Sequence, residues 1–374
     1  MENNKKYDFL IVGCGLFGST VAERLVKQGF KVLIIDKSNH IGGNIYTEKI
    51  EGIHVHKYGA HIFHTSNKAV WDYVNSFCEF VPFVNSPIAN YKGELYNLPF
   101  NMNTFVKIFP GTRNIDDVKK HIKEEIRKAN IASINNLEDQ AISLVGTSIY
   151  QKLIKGYTEK QWGRDANILP ASIIKRIPLR FTFDNNYFND IYQGIPKDGY
   201  TEFVKEQIKG CDVILGANFF DKKDYYFSLA DKIIYTGSID EYFEYKYGKL
   251  EYRSVRFENK ILDKAIYQGV PVMNYTDRET PYTRVIEHKL FDRFCTSDKT
   301  IISYEYPLES GVDNDPYYPI NNDRNNELYK KYLEETKTLK NIYFGGRLAS
   351  YKYFDMDDII EEAFKLVEKL NYTH

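Results

Sequence analysis

A glycine triplet near the N-terminus constrains the fold of this 374-residue chain more than any other feature. The triplet, Gly13-x-Gly15-x-x-Gly18, follows a short apolar run and precedes a segment with helical periodicity. The first glycine permits a tight turn, the second lets a pyrophosphate approach the backbone, and the third allows helix and strand to pack closely. A helix N-terminus at this point also offers free N–H groups to an anion. The pattern predicts a dinucleotide-binding unit; the alternative is a tight turn that binds no ligand.

The segments around the triplet fit a β-α-β unit. Residues 7–12 and 31–35 are apolar and rich in β-branched residues, which predicts two buried strands, and the apolar spacing of residues 19–29 predicts the helix between them. Such strands are parallel and joined by a right-handed crossover. Asp36 follows the second strand, where an acidic residue binds the ribose hydroxyls of a dinucleotide.

A second glycine pair indicates which dinucleotide is bound. Gly42-Gly43 comes six residues after Asp36 and resembles the extension found in FAD enzymes of the glutathione-reductase-like class, in which the chain folds back over the cofactor. Simple NAD dehydrogenases lack this extension. The sequence has no second G-x-G-x-x-G for an NADPH domain and no paired cysteines for disulfide exchange. We therefore expect a flavoprotein that takes its electrons from an external donor or needs few of them.

The rest of the chain predicts an α/β fold in which a Rossmann-like FAD-binding domain with a parallel sheet is interrupted by a helical bundle and an antiparallel sheet. Short buried strands at 232–237 and 341–346 extend the parallel sheet, and a helix at 357–370 ends the chain. Residues 179–194 and 250–306 are aromatic and punctuated by turns, which predicts antiparallel strands. The expected domains are an FAD-binding domain at 1–84, 195–245 and 335–374, a helical domain at 100–178, and an antiparallel substrate domain at 85–99, 179–194 and 246–334.

Charge and cysteine usage exclude several classes of protein. Lysine plus arginine (50) balances aspartate plus glutamate (51), so we expect neither nucleic acid nor an anionic membrane as a partner. The longest apolar run, residues 9–18, is about half the length that spans a bilayer. Two lysines precede it as in a signal peptide, but Asp8 and the regular glycines argue against one. The four cysteines are far apart, which favours free thiols and a cytoplasmic location.

Four histidines lie within eleven residues, at His54, His56, His61 and His64. A metal site is one interpretation, but no carboxylate or cysteine completes a ligand set and a glycine turn interrupts the cluster. We expect no metal. Histidines beside a flavin or a phosphate are the favoured interpretation, and packing is the simpler explanation for His54 and His56.

Nine further segments carry distinctive motifs. The segments are Tyr58–Thr65, Gly156–Gly163, Ile174–Pro178, Phe181–Tyr187, Pro281–His288, Glu305–Leu308, Pro316–Pro319, Gly345–Arg347 and Tyr351–Asp357. They occur in the same order in the bacterial UDP-galactopyranose mutase family, which this chain resembles over a match that runs from about residue 7 to 368.

The resemblance implies roles for individual residues. The catalytic residues that it implies are His61, His64, Arg176 and Arg284. His61 and His64 would lie beside the flavin, whereas Arg176 and Arg284 would clamp the substrate diphosphate. Arg176 would lie on a mobile substrate flap in the helical domain. Arginine suits this role because its planar fork matches phosphate oxygens. The implied substrate-binding residues are Asn85, Tyr157 (on uracil), Thr158, Trp162, Arg176, Tyr187, Arg253, Asn274, Arg284, Tyr318, Tyr353 and Asp355. The implied cofactor-binding residues are Gly13, Gly15, Leu16, Phe17, Gly18, Asp36, Lys37, Gly43, Asn44, His61, Gly346, Arg347, Asp355 and Met356. Relatives often carry phenylalanine near the uracil where this chain has Leu153-Ile154, which leaves the stacking partner open.

The activity that the resemblance implies is the interconversion of UDP-galactopyranose and UDP-galactofuranose without net redox change. In this reaction N5 of reduced FAD acts as the nucleophile, and the product supplies galactofuranose for cell-surface polysaccharide. A homodimer is also implied. The alternatives are a mutase for UDP-N-acetylgalactosamine or dTDP-fucose, a conventional flavin oxidoreductase such as an amine oxidase-like enzyme, and a non-catalytic nucleotide-sugar-binding protein.

Overall fold

The computed structural model describes residues 6–174, 177–309 and 316–371. The strands are β1 Tyr7–Val12, β2 Val32–Ile35, β3 Thr47–Ile50, β4 Ile53–His56, β5 Phe63–Thr65, β6 Phe80–Pro82, β7 Ile88–Tyr91, β8 Glu94–Asn97, β9 Tyr192–Pro196, β10 Asp212–Ile214, β11 Ala230–Tyr235, β12 Tyr252–Leu262, β13 Val272–Tyr275, β14 Arg284–Glu287, β15 Thr300–Glu309, β16 Tyr318–Pro319 and β17 Ile342–Phe344. The helices are α1 Leu16–Lys27, α2 Lys68–Asn75, α3 Met102–Ile108, α4 Ile115–Ala129, α5 Leu137–Val145, α6 Thr147–Ile149, α7 Gly156–Trp162, α8 Tyr200–Gln207, α9 Lys223–Leu229, α10 Ile239–Tyr242, α11 Asp323–Thr336, α12 Gly346–Ala349 and α13 Met356–Asn371.

A five-stranded parallel sheet, in the order β10-β2-β1-β11-β17, forms the first layer. Strands β1 and β2 are apolar without alternation because both of their faces are buried. Phe9 and Ile11 pack with α1 and α13 on one face, whereas Leu10 and Tyr235 belong to a second core on the other. The predictions of strands at 7–12, 31–35, 232–237 and 341–346 are confirmed. Helix α1 begins directly after Gly15, three residues before the predicted start.

A seven-stranded sheet, in the order β16-β12-β15-β14-β13-β7-β8, forms the second layer. Its long central ladder pairs β12 with β15 antiparallel, as predicted for residues 250–306. One pair departs from the prediction, because β7 and β13 run parallel. Two small sheets, β3-β4 and β5-β9-β6, complete the strand pairing of the described residues.

The prediction of antiparallel strands over residues 179–194 is wrong for most of that segment. Only its end contributes a strand, as part of β9, and residues 179–191 are irregular. Side chains take the place of a ladder here: the Arg180 guanidinium donates to the carbonyl of Tyr187 at 2.9 Å, and the Asn101 amide donates to the carbonyl of Asp184 at 2.8 Å. Within the segment, the backbone N–H of Asn186 donates to Asp184 Oδ1 at 2.9 Å, a local bond that competes with strand pairing.

The helical part runs from α3 to α7 and has its own core. On α4, Val118 and Ile122 are buried four residues apart, the spacing that places apolar side chains on one face of a helix. A π-helical segment, Tyr150–Lys155, leads into α7. Lys160 on α7 donates to the carbonyls of Tyr275 and Tyr282, both at 2.8 Å, and so anchors this helix to the seven-stranded sheet.

All five strands of the parallel sheet fall within the residue ranges expected for the FAD-binding domain. All seven strands of the larger sheet fall within the residue ranges expected for the substrate domain. The division into three domains remains a prediction. In the part of the chain that the structure describes, no helix has the length and apolar character needed to cross a membrane.

Candidate active site

The glycine triplet forms the turn between β1 and α1, and its three glycines meet different constraints. Gly13 has φ +113°, and a Cβ there would lie 1.9 Å from Thr236 Oγ1. A Cβ on Gly18 would lie 2.0 Å from the Gly13 carbonyl oxygen, which fixes the close packing of helix on strand. A Cβ on Gly15 would meet only Gly43 Cα, at 3.9 Å. The protein's own packing therefore does not require glycine at position 15. Space for a bound ligand is the physical reason for a glycine there.

Asp36, at the end of β2, is tied to this turn. Its carboxylate accepts from the backbone N–H of Cys14 at 2.7 Å and from that of Ser38 at 2.7 Å. Each carboxylate oxygen has a second acceptor position, so Asp36 can also accept from a ribose hydroxyl. Burial, with the charge of Asp36, raises the pKa of the Cys14 thiol to about 12, so this cysteine is an inert packing residue.

One continuous cleft of about 600 Å³ extends from the triplet to the inner face of the seven-stranded sheet. It brings together 22 of the residues expected in the site. These are Gly13, Gly15, Leu16, Phe17, Gly18, Asp36, Lys37, Gly43, Asn44, His61, His64, Asn85, Tyr157, Tyr187, Asn274, Arg284, Tyr318, Gly346, Arg347, Tyr353, Asp355 and Met356.

Arg284 on β14 is the central cation at the sheet end of the cleft. It lies opposite Glu305 on β15, with 3.1 Å between its Nε and Glu305 Oε1. Burial disfavours the charge of Arg284, but Glu305 and the surrounding tyrosines offset this and hold its pKa well above the ordinary value. Burial raises the pKa of the neighbouring Tyr157 hydroxyl to about 12, against the effect of Arg284, so Tyr157 is a neutral hydrogen-bonding group.

Two buried side-chain oxygens in the cleft lack a partner among the described residues. They are Oδ1 of Asn85 and Oδ1 of Asn274, which lies next to Arg284 in the strand register. An unpaired buried carbonyl costs about 1–3 kcal/mol, which a ligand hydroxyl or N–H would recover. These atoms therefore favour a polar ligand at this end of the cleft.

Arg347 lies between the two ends of the cleft. Its guanidinium is 4.9 Å from the Tyr353 ring centre and 5.9 Å from that of Tyr318, and it donates to the Tyr317 carbonyl at 2.7 Å. Helices α12 and α13 begin beside it, and Gly346, Asp355 and Met356 line the cleft. An anionic group bound here would meet both a cation and helix N-termini.

The histidine cluster is used for hydrogen bonding within the protein. The His61 ring donates from Nδ1 to the Gly59 carbonyl at 2.8 Å, and its backbone N–H donates to His56 Nδ1 at 3.1 Å. The backbone N–H of His56 in turn donates to His288 Nδ1 at 3.2 Å. Burial, with Arg347 and Arg284 nearby, lowers the pKa of His61 to about 4. Within the described ranges, no group of three histidine, cysteine or acidic side chains is arranged to hold a metal.

Some expected residues lie outside the cleft lining. Thr158 is buried on α7, Trp162 packs against the core of the helical part, and Arg253 donates from Nε to the carbonyl of Gln161 at 2.8 Å. Arg253 therefore provides a hydrogen-bond donor for a carbonyl group at the C-terminal end of α7. Their roles in substrate binding remain predictions. Arg176 falls outside the described residues.

Sequence reasoning missed several residues of the cleft, among them Glu305 and Phe188. Glu305 stands inside one of the family segments, yet its pairing with Arg284 depends on strand register. Phe188 carries no sequence signal beyond its place after Tyr187. Its ring stacks on His64 with 3.8 Å between ring centres, a contact between residues 124 positions apart.

The cleft fits FAD at the end that the triplet forms. The space over Gly15, the N-terminus of α1 and the carboxylate of Asp36 match a pyrophosphate and a ribose. A parallel sheet with this site is joined through one cleft to a mostly antiparallel sheet. This arrangement defines the class of flavoenzyme-like proteins with a Rossmann-like domain. A model of the NAD(P)-binding Rossmann-like domain matches residues 11–77.

The family is narrower than this class. The model of the UDP-galactopyranose mutase family matches residues 152–353. The chain is 39% identical to the probable UDP-galactopyranose mutase of Klebsiella pneumoniae, over 98% of this chain and 95% of that protein. It is 37% identical to the dTDP-fucopyranose mutase of Escherichia coli, over 96% and 97%. The chain belongs to the UDP-galactopyranose mutase family.

Solved structures agree on the fold. The crystal structure of a reduced UDP-galactopyranose mutase covers 98% of this chain and 96% of its own, with a TM-score of 0.74 and 14% identity. A putrescine oxidase structure covers 98% and 99%, with a TM-score of 0.59 and 12% identity. The expectation of a Rossmann-like α/β fold with an additional antiparallel sheet is confirmed.

Proposed function

We propose that this chain is a flavin-dependent mutase that interconverts UDP-galactopyranose and UDP-galactofuranose, with FAD as its cofactor. The observation that carries the proposal is the single cleft that joins the space over Gly15 to Arg284. A cofactor at one end and a diphosphate at the other would share one continuous volume, as a reaction between flavin and sugar requires. Membership of the mutase family supports the choice of reaction.

The side chains of the cleft would mainly position the reactants. Arg284 and Arg176 would hold the substrate diphosphate, with charge-assisted bonds of about 1.5–3 kcal/mol each. The unpaired oxygens of Asn85 and Asn274 would accept hydrogen bonds from the nucleotide sugar. FAD, when bound and reduced, would supply a nucleophilic N5 for covalent catalysis at the anomeric carbon. The N-terminus of α13 would stabilise negative charge on the cofactor.

A second candidate is a mutase for another nucleotide sugar. The chain is nearly as similar to the dTDP-fucopyranose mutase (37%) as to the probable UDP-galactopyranose mutase (39%). The decisive experiment incubates the reduced enzyme separately with UDP-galactopyranose, UDP-N-acetylgalactosamine and dTDP-fucopyranose, and identifies furanose products by chromatography and NMR. We expect the highest kcat/KM with UDP-galactopyranose. A higher value with another sugar would assign that substrate instead.

Electron stoichiometry separates either mutase from an oxidoreductase. A mutase needs reduced flavin and consumes no stoichiometric reductant, so one pulse of dithionite under anaerobic conditions should support many turnovers. Full activity with oxidised FAD, or one reductant consumed for each product molecule, would contradict the proposal.

The proposal extends to the cellular setting. We infer a cytoplasmic homodimer that is reduced by an external donor and supplies galactofuranose for cell-surface polysaccharide. The dispersed free cysteines support a reducing compartment. Light scattering of the purified protein tests the dimer, and deletion of the gene followed by sugar analysis of the cell surface tests the use of the product.

A further inference from the structure

His64 and Asp190 lie 126 residues apart in the sequence, and the fold joins them by a hydrogen bond. His64 Nδ1 is 2.8 Å from Asp190 Oδ2. A carboxylate oxygen only accepts hydrogen bonds, so Nδ1 must carry the proton and donate. In the neutral ring the other nitrogen, Nε2, is then a hydrogen-bond acceptor.

The His64 ring is held from a second direction by Phe188. The two rings stack with 3.8 Å between their centres and an interplanar angle of 19°. The His64 side chain is 13% exposed, so stacking and hydrogen bond together leave it little freedom to rotate. Phe188 and Asp190 belong to the same irregular segment that presents Tyr187 to the cleft.

Asp190 has its own support, independent of His64. Ser66 Oγ donates to Asp190 Oδ1 at 2.7 Å, which leaves Oδ2 for the histidine. Gln193 Nε2 donates to the Asp190 carbonyl at 2.8 Å and ties the residue to the start of β9. Strand β9 pairs with β5, which carries His64, opposite Gln193. The pairing of β9 with β5 therefore fixes the position of the Asp190 carboxylate, independently of its hydrogen bond to the His64 ring.

We propose that Asp190 is a positioning residue that fixes His64 in the Nδ1–H tautomer, so that Nε2 accepts a hydrogen bond from a hydroxyl group of the nucleotide sugar. His64 lines the cleft, whereas Asp190 is not part of the lining and acts through the ring. The identity of the hydroxyl donor rests on the proposed function; the tautomer of His64 does not.

Asp357 provides a control for charge alone. It lies at the start of α13, interacts electrostatically with His64, and is hydrogen-bonded to Thr65. Asp190→Asn and Asp357→Asn each remove one negative charge near the ring, but only the first alters the partner of Nδ1. The carboxamide that Asp190→Asn introduces can donate to Nδ1, which would favour the Nε2–H tautomer.

The first test is NMR of the full FAD-loaded chain labelled with ¹⁵N-histidine, in which His64 is assigned by its loss in His64→Gln. We expect the Nδ1–H tautomer at His64 in the wild type and in Asp357→Asn, and a shift to the Nε2–H tautomer in Asp190→Asn. An Nε2–H tautomer in the wild type, an unchanged tautomer in Asp190→Asn, or the same shift in Asp357→Asn would overturn the proposal.

The second test separates binding from turnover. In Asp190→Asn we expect kcat to fall at least about tenfold, because the hydrogen bond that Nε2 accepts orients the sugar for reaction, with KM within about twofold of the wild type. Retention of FAD and an unchanged circular dichroism spectrum verify folding. A shifted tautomer with unchanged kcat would overturn the positioning role. A wild type that converts no nucleotide sugar would refute the proposed function and leave the NMR result to decide the tautomer.

Discussion

A side chain at position 15 would clash with a bound ligand but not with the rest of the protein. Its backbone is not in the left-handed region, and an added Cβ would make one ordinary contact at 3.9 Å. Gly15→Val should therefore fold, with a thermal midpoint near that of the wild-type apoprotein, yet bind FAD roughly 10–150-fold more weakly through lost phosphate contacts. Fluorescence titration of the apoprotein with FAD measures this.

The matched control is Gly93→Val, in a turn with open space around it and φ +90°. This change should cost about 1 kcal/mol or more of stability through backbone strain and leave FAD affinity unchanged. Equal FAD affinities for Gly15→Val and the wild type would contradict the assignment of Gly15 to the pyrophosphate.

Arg284 should contribute to substrate binding and not to cofactor binding. Arg284→Ala should weaken UDP binding by roughly 10–150-fold, which corresponds to the loss of one or more charge-assisted bonds. Lysine at this position should recover only part of the loss because it lacks the bidentate fork. Isothermal titration with UDP measures the effect, and an unchanged flavin content shows that the cofactor end is intact.

Removal of Arg284 also leaves Glu305, a buried carboxylate, without its cation. The double variant Arg284→Ala/Glu305→Gln distinguishes this secondary effect from lost phosphate contacts. If the double variant binds UDP as tightly as the wild type, Arg284 is needed to neutralise Glu305 and not to bind phosphate.

At the scale of elements, the position of α7 depends on a close contact with the seven-stranded sheet. It begins at Gly156, where a Cβ would lie 2.5 Å from the Thr276 carbonyl oxygen and 2.8 Å from the Arg278 nitrogen, both backbone atoms. Lys160 holds the same helix one turn later through two carbonyls of the sheet. The place of Tyr157 in the cleft therefore follows from how closely α7 approaches the sheet.

Gly156→Ala should push α7 away from the turn after β13 and cost about 1–3 kcal/mol of stability. Because Tyr157 moves with the helix, UDP affinity should fall while FAD content stays at the wild-type level. Lys160→Met disturbs the same contact one turn further along and should have the same two effects. Denaturation midpoints and UDP titrations of both variants test this; a loss of FAD with unchanged UDP affinity would contradict it.

At the scale of the whole molecule, buried histidines link stability to pH. Burial lowers the pKa of His61 to about 4, that of His288 to about 3, and that of His56 well below its ordinary value. The unfolded chain, with histidine pKa values near ~6.5, binds more protons than the native state below that pH. The native state should therefore lose stability as pH falls from about 6.5 to 5, by about 1.4 kcal/mol per pH unit for each histidine that stays neutral.

Denaturant titrations between pH 7 and 5 measure this slope. His288→Gln should be less stable at pH 7 but show a shallower dependence of stability on pH than the wild type. Burial raises the pKa of Asp240 and that of Glu241, so at lower pH these two groups would make the native state more stable as pH falls. The titrations therefore stop at pH 5. Stability independent of pH over this range would contradict the buried neutral histidines.

The amino-acid sequence by itself determined the features that depend on near neighbours. The glycine triplet, the apolar strands on either side of it and the acid at position 36 lie within 30 residues, so turn geometry and periodicity are enough to predict the dinucleotide site. The final helix followed from apolar spacing in the same way. Local patterns failed at 179–191, where aromatic residues suggest strands but side-chain bonds from Asn101 and Arg180 fix an irregular path.

The tertiary structure alone decided which distant residues meet. Arg284 faces Glu305 because β14 and β15 pair in one register, and a shift by one residue would turn either side chain to the opposite face. Asp190 reaches His64 across 126 residues because β5 and β9 are neighbours. Arg253 lies beneath α7 and not in the cleft because it donates a hydrogen bond to a carbonyl at the end of that helix. Strand register and helix packing are properties of the assembled core, so no local pattern in the sequence specifies them.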